Sequence, residues 1–343
     1  MHDVARLGAN LLSRRDLLLY SKSLRQQVKN KKVKDMATKS ANRGLRKIRR
    51  KGYEIASRMI HLVKPGRRPV VNEVEIRVAG LQRTGNHAIV NWLYAQYPEL
   101  KCYLNGVEAN RNPFLTFSKK GTVRQFDAAF HKKIRIIHER LGVFRRKALL
   151  IYNFEDYSLE EVFSDYFEKH HDRWVGGSAK RFDVLVLRDP FNLFASRIRR
   201  EEGVGGQKLS FGDPGEKELL ISLWKQYARE FLGVSNHLTH NKIAINYNKW
   251  FADRSYRSEI ARAFGLDLVN DSVDKVLAVG GGSSFDRTEF DRNASEMKVL
   301  ERWRNYKDDT FFRELFLDPE LLALSSKIFG NLPGVDALLS KSS

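Results

Sequence analysis

The chain has 343 residues, of which 42% are hydrophobic and 11% aromatic, enough for a packed core and too many for a disordered or fibrous polymer. At roughly 150 residues per domain the length holds two units, or one enlarged domain with an appendage. Lysine and arginine number 61 against 41 acidic residues, a formal charge of +20, and the excess is local: residues 1–69 carry 20 basic and 4 acidic side chains, residues 70–343 carry 41 and 37.

The N-terminus lacks the apolar stretch of a secretory signal, and no apolar run approaches the roughly 18 residues of a membrane span. The sequence therefore predicts a cytoplasmic protein, soluble or peripheral at the inner face of a membrane. Leu17–Val28 is compatible with helix, and Lys29–Lys39 reads as a flexible connection. From Arg43 to Val63 the apolar residues Leu45, Ile48, Ile55, Met59 and Leu62 recur at helical spacing, with Gly52 at the missing step. Arg46, Lys47, Arg49, Arg50, Lys51 and Arg58 fill other positions, so this amphipathic helix suits either an anionic membrane surface or packing of its stripe on the main domain. Lys64-Pro65-Gly66-Arg67-Arg68-Pro69 breaks helix. It divides a basic, mainly helical arm, 1–69, from an α/β domain, 70–343.

Beyond the break, short apolar runs alternate with longer amphipathic stretches. Strands are predicted at Val74–Gly80, Ala148–Tyr152, Phe182–Leu187 and Ile243–Tyr247. Helices are predicted at Asn86–Gln96, Ser158–His170, Phe191–Arg200 and Glu216–Leu238. Such alternation predicts an α/β fold, a parallel β-sheet with helices on both faces. Residues 105–147, 203–215 and 268–293 fit no regular βα unit and are expected as insertions around the carboxyl edge of the sheet, where α/β folds bind ligands. A single cysteine, Cys102, excludes an intramolecular disulfide and a multi-cysteine metal site and suits a reducing compartment.

Gly80-Leu81-Gln82-Arg83-Thr84-Gly85-Asn86-His87 follows a strand and opens a helix, the setting in which backbone amides and a helix N-terminus cradle a phosphate. The glycine spacing is that of a nucleotide loop, but Asn86-His87 stands where a nucleoside triphosphatase needs Lys-Ser/Thr for the β/γ-phosphates and Mg²⁺. ATP hydrolysis is accordingly the weaker reading. Arg83 brings a permanent charge and a fork suited to paired oxygens, and His87 either donates to the anion or caps the turn. Further on, Phe182–Leu187 ends in Arg188-Asp189-Pro190, with Asp189 placed to cap the next helix and Pro190 in its first turn. Arg188 at the strand end and Ser196 two turns into the helix form a second candidate anion site. One nucleotide with phosphates at both ends of its ribose accounts for both.

The pairing of Gly-x-x-Arg-Thr-Gly after the first strand with Leu-Arg-Asp-Pro-x5-Ser resembles the sulfotransferases that use 3′-phosphoadenosine 5′-phosphosulfate (PAPS). The resemblance extends through Ile243–Trp250, Arg257–Leu266, Gly281–Phe285 and Arg302–Tyr306, covers roughly residues 74–330, and leaves the arm unexplained. It implies a P-loop, sulfotransferase-like fold and in-line transfer of a sulfuryl group from PAPS to a hydroxyl or amine, without a metal. It assigns the 5′-phosphosulfate to Arg83, Thr84, Gly85, Asn86 and His87, and the 3′-phosphate to Arg188 and Ser196. Many members have two hydroxyl residues where this chain has Asn86 and His87.

An acceptor hydroxyl needs a base near the sulfur. Glu108, after the apolar run Cys102–Leu104, and Glu155 or Asp156, after Ala148–Tyr152, are candidates, with His87 behind them because the loop already uses it. Gly280–Arg292, with Arg287 and Arg292, reads as a nucleotide lid or an ordinary loop. Trp224, Tyr227, Phe231, Trp303 and Tyr306 read as packing residues. The insertions 105–147 and 203–215, through their arginines and aromatics, fit a carbohydrate, a lipid-linked glycan or an acidic polymer as acceptor, and the basic arm favours a membrane-associated one. The rival readings are a phosphotransferase or ATPase on the same loop fold and a polyanion-binding protein acting through the arm, with no specific nucleic-acid motif present.

Overall fold

A computed structural model of the chain describes residues 44, 45, 47–59, 69–117, 136–203, 209–213, 215–267, 273 and 282–339. The helix expected at Leu17–Val28, the stretch Lys29–Lys39, most of the helix breaker, and residues 118–135, 204–208, 214, 268–272 and 274–281 of the expected insertions lie outside them.

Residues 47–59 are helical, as the spacing predicts. Leu45, Ile48, Ile55 and Met59 are 64%, 71%, 61% and 59% exposed. Among the described residues no helix is long and apolar enough to cross a membrane.

The α/β unit is built on five strands: β1 (Val70–Gly80), β2 (Lys101–Leu104), β3 (Lys147–Glu155), β4 (Gly177–Leu187) and β5 (Ile243–Asn246). Their order across the sheet is β2-β3-β1-β4-β5, and every pairing is parallel. Successive side chains enter opposite cores, as strand geometry requires. Ile76, Val78, Leu149, Ile151, Val184 and Val186 face one side, against α1 (Asn86–Ala95) and the helices after β5. Ala79, Leu150, Tyr152, Phe154, Leu185 and Leu187 face the other, with Cys102 from β2. There they meet α2 (Leu159–Val162), α3 (Asp165–Trp174), α4 (Pro190–Gly203) and α5 (Glu216–Phe231). This is the fold class expected from the alternation.

Several boundaries differ from the sequence reading, and four of them show a physical cause. The helix expected over Ser158–His170 is two helices. Ser158 and Glu161 form a capping box on the first, and the Ser164 hydroxyl accepts from the Phe167 amide to start the second. The long helix stops at Phe231 instead of Leu238, where Gly233 turns left-handed at φ 73°. β3 runs on through Glu155, in register with Gly80. β4 starts five residues early because its polar segment Gly177–Arg181 pairs with the start of β1.

That early pairing carries a buried ionic network. Glu75, only 1% exposed, accepts from the Tyr152 hydroxyl at 2.6 Å, from Ser178, and from His171 Nε2 at 2.7 Å. Arg77 bonds Asp183 at 2.9 Å and Glu168 at 3.0 Å. Arg181 holds both oxygens of Glu168, at 2.7 and 2.9 Å. Burial alone would favour a neutral Glu75, but His171 and Arg181 hold its carboxyl well below the usual range. Burial likewise disfavours a charged His171, yet Glu75 and Asp172 raise it to about 9.

Candidate anion-binding and active site

Because all five strands are parallel, their carboxyl ends share one edge. Gly80, Asn105, Glu155, Arg188 and Tyr247 are delivered there by β1 to β5 in turn. The loop 80–87 closes on one carbonyl: Leu81 O accepts from the Thr84 amide at 3.2 Å, the Thr84 hydroxyl at 2.6 Å and the Asn86 amide group at 3.2 Å. Both glycines are required. A Cβ on Gly80 would lie 2.1 Å from Asn86 Oδ1, and one on Gly85, at φ 99°, would lie 2.1 Å from the Tyr247 ring. Arg83 also adopts a left-handed backbone, φ 73°, a strain of about 1–3 kcal/mol of the kind that recurs at ligand clamps.

A second device holds the loop from behind. Arg197 and Asp156, both fully buried, form a two-pronged pair at 2.9 and 3.1 Å. Asp156 also accepts from the Gln82 amide at 2.9 Å, while Arg197 donates to the Gln82 carbonyl at 3.2 Å. Asp156, one of the expected bases, is therefore engaged in holding the loop.

The two predicted anion residues come together, and a third joins them. Arg188, 2% exposed, donates to the Arg83 carbonyl at 3.1 Å, to Ser196 Oγ at 3.2 Å and to Val299 O, with its guanidinium 5.3 Å from the Tyr247 ring centre. Arg302, 7% exposed, donates to the same Ser196 Oγ at 3.2 Å and to Ser283 Oγ at 2.7 Å, and lies 3.3 Å from Asp286. Ser196 gives its own proton to Asn192 O at 2.7 Å, so its hydroxyl acts as an acceptor shared by two guanidinium groups. The Arg83 side chain donates to Gly282 O at 2.9 Å. Sequence reading missed Arg302, whose neighbours Trp303 and Tyr306 suggest only packing; its link to Ser196 spans 106 residues, beyond the reach of any local pattern.

These cations outnumber their counter-charges. Neither Arg83 nor Arg188 has a carboxylate within salt-bridge distance among the described residues, and the buried Nε of each has no acceptor. Burial first, then Arg200, Arg188 and Arg197, push Arg83 down to about 10 despite the opposing field of Glu155. Burial and then Arg188 push Arg302 down to about 9, and burial lowers Arg188 as well. A guanidinium so depressed is one whose charge the fold under-solvates, and an anion at this edge would restore it.

The expected bases are placed differently from one another. Glu155 ends β3 beside the loop and accepts from Asn86 at 3.2 Å and Asn153 at 3.4 Å. His87 Nε2 lies 2.9 Å from Asn105 Oδ1, and Tyr103 and Asn153 continue that chain of contacts back toward Glu155. Glu108 pairs with Arg111 at 3.3 Å and is 38% exposed. The late loop touches the cluster through Gly282, Ser283 and Asp286, whereas Arg287 and Arg292 are exposed.

Fold and site together define a parallel α/β protein with a glycine loop between β1 and α1 and a buried arginine cluster on one sheet edge. No family model matches the chain, and no curated protein matches it. Among solved structures, mouse sulfotransferase SULT7A1 complexed with PAP aligns over 76% of this chain and 90% of its own, at 13% identity and a TM-score of 0.40.

Proposed function

We propose that the chain is a PAPS-dependent sulfotransferase, the 5′-phosphosulfate lying on the loop Arg83–His87 and the 3′-phosphate against Arg188. The observation that carries this reading is the juxtaposition of the buried Arg83, Arg188 and Arg302, with Nε of Arg83 and of Arg188 unspent and few counter-charges, at the mouth of a glycine loop. The donor set offers two distinct buried N–H groups for anions, Nε of Arg83 and Nε of Arg188, on arginines that meet through the Arg83 carbonyl. Bound there, PAPS would supply the sulfuryl group for transfer to an acceptor hydroxyl or amine.

The residues divide the work. Arg83 and the first-turn amides of α1 neutralise charge on the 5′ side, where a leaving phosphate needs it. Arg197 and Asp156 keep that cradle rigid, so little reorganisation is required. Glu155 is the preferred base for the acceptor proton because it borders the loop, with His87 and Glu108 as alternatives. Asn86 at the position of a nucleotide-loop lysine turns its amide back onto Leu81 and Glu155, which speaks against a nucleoside triphosphatase.

The acceptor class is a carbohydrate or glycolipid. The arm, residues 1–69, would place the domain at an anionic membrane from the cytoplasmic side; the exposed Leu45, Ile48, Ile55 and Met59 among basic residues support this. Thermal shift with 3′,5′-adenosine bisphosphate against ATP-Mg²⁺ tests the function. Stabilisation by the bisphosphate is expected, and stabilisation by ATP alone overturns the reading. Vesicle co-sedimentation of the full chain against a version lacking 1–69 tests the arm, with equal binding counting against it.

A further inference from the structure

The cluster holds one carboxylate that works against the proposed ligand. Asp286 sits in the turn 283–287, closed by reciprocal backbone bonds between Ser283 and Arg287 at 2.8 and 3.1 Å. Its carboxylate accepts from the Ser283 hydroxyl at 2.9 Å and lies 3.3 Å from Arg302 Nη2. The same turn covers Arg302 from a second side, its guanidinium carbon 5.2 Å from the Phe285 ring centre. Arg302 in turn shares Ser196 with Arg188. Of the three cluster arginines, Arg302 alone has a carboxylate within salt-bridge range among the described residues.

We propose that Asp286 attenuates nucleotide affinity, as a built-in counter-ion that a 3′-phosphate must displace from Arg302 to occupy the Arg188–Ser196–Arg302 subsite. The inference rests on the nucleotide reading above. Its physical content is a threshold. A doubly charged group gains from both Arg188 and Arg302 and outcompetes a single carboxylate, whereas a neutral 3′-hydroxyl gains nothing from breaking the pair. The pair also shields two adjacent like charges when no phosphate is bound, at a cost in affinity when one is. Gly282 of the adjoining backbone accepts from Arg83, so the segment that carries Asp286 touches both proposed phosphate positions.

The test is calorimetric titration of the full chain with 3′,5′-adenosine bisphosphate and with 5′-AMP, on wild type and Asp286→Asn. The substitution keeps size and an acceptor for Ser283 while removing the charge. The bisphosphate should bind the variant at least about tenfold tighter, by the size of one charge-assisted contact, with 5′-AMP changed less than about twofold. Selectivity between the two ligands therefore rises in the variant. Equal or weaker bisphosphate binding by a folded Asp286→Asn protein overturns the proposal and makes Asp286 a mere support for Arg302. Ser283→Ala, which loosens the carboxylate without removing it, should shift affinity in the same direction by less, and serves if the first variant does not fold. Wild type that binds the bisphosphate while neither variant differs sinks this inference alone; absence of bisphosphate binding in all three proteins sinks the nucleotide reading with it.

Discussion

Replacing His171 with Gln tests the ionic network under the sheet without reference to any ligand. The imidazole is raised from an ordinary 6.5 to about 9 by Glu75 and Asp172, so the folded state binds that proton more tightly than the unfolded chain. At about 1.4 kcal/mol per tenfold change in proton affinity, the preference amounts to roughly 3 kcal/mol. Since the folded value is the higher one, the stabilisation is complete below about pH 6.5 and disappears as pH rises through about 9. Glu75, shifted the other way, contributes above about pH 4.5 and loses its contribution on acidification. Urea unfolding of wild type and His171→Gln, from about pH 6.5 to about pH 10, reads the difference directly. The gap should be about 3 kcal/mol at the acid end and close toward zero at the alkaline end. Titration of Arg302 and Arg83 over the same range cancels in the difference, because neither touches this network. A gap that stays constant with pH would mean that His171 acts by packing or as a neutral donor, and the argument from its charge would fail.

Three further outcomes are expected. Arg83→Ala should lower sulfuryl turnover by on the order of 100-fold or more, as loss of a preorganised charge does, measured with labelled PAPS and an accepted substrate; a loss under about threefold contradicts its proposed role. Gly85→Ala should destabilise the fold by about 2–5 kcal/mol, from a left-handed alanine and from displacement of Tyr247; restoration of part of that loss by adding Tyr247→Ala, seen in thermal melts, would identify the ring as the obstacle. Among Glu155→Gln, His87→Gln and Glu108→Gln, the first should abolish turnover while bisphosphate affinity stays within a few-fold; full activity of that variant moves the base elsewhere.

The legible parts of the molecule are the local ones. The loop between β1 and α1 can be read because each glycine has a nearby reason: one admits Asn86, the other a positive φ and an aromatic ring. Asp189 could be read as a cap for the same reason, and its carboxylate does accept from the Asn192 amide at 2.8 Å. Cap chemistry at Ser164 and Gly233 was written in the sequence too, but helical periodicity across both positions hides it. The beginning of β4 is a different matter. Lys180 and Arg181 look like loop residues until Glu75, 106 positions earlier, and Glu168, 13 positions earlier, are folded against Arg181. Arg302 belongs to that second kind, since nothing within its own turn signals that Ser196 and Arg188 await it.

Cys102, the sole cysteine, points from β2 into the core and is fully buried, and that burial raises its thiol far above the ordinary range. Thiol-directed labels need thiolate and access, and this side chain offers neither. A cysteine placed at exposed Glu289 would therefore take a fluorophore or spin probe on the otherwise native chain. The probe would sit three residues from Asp286, where a change in the turn upon nucleotide addition becomes an optical or magnetic signal.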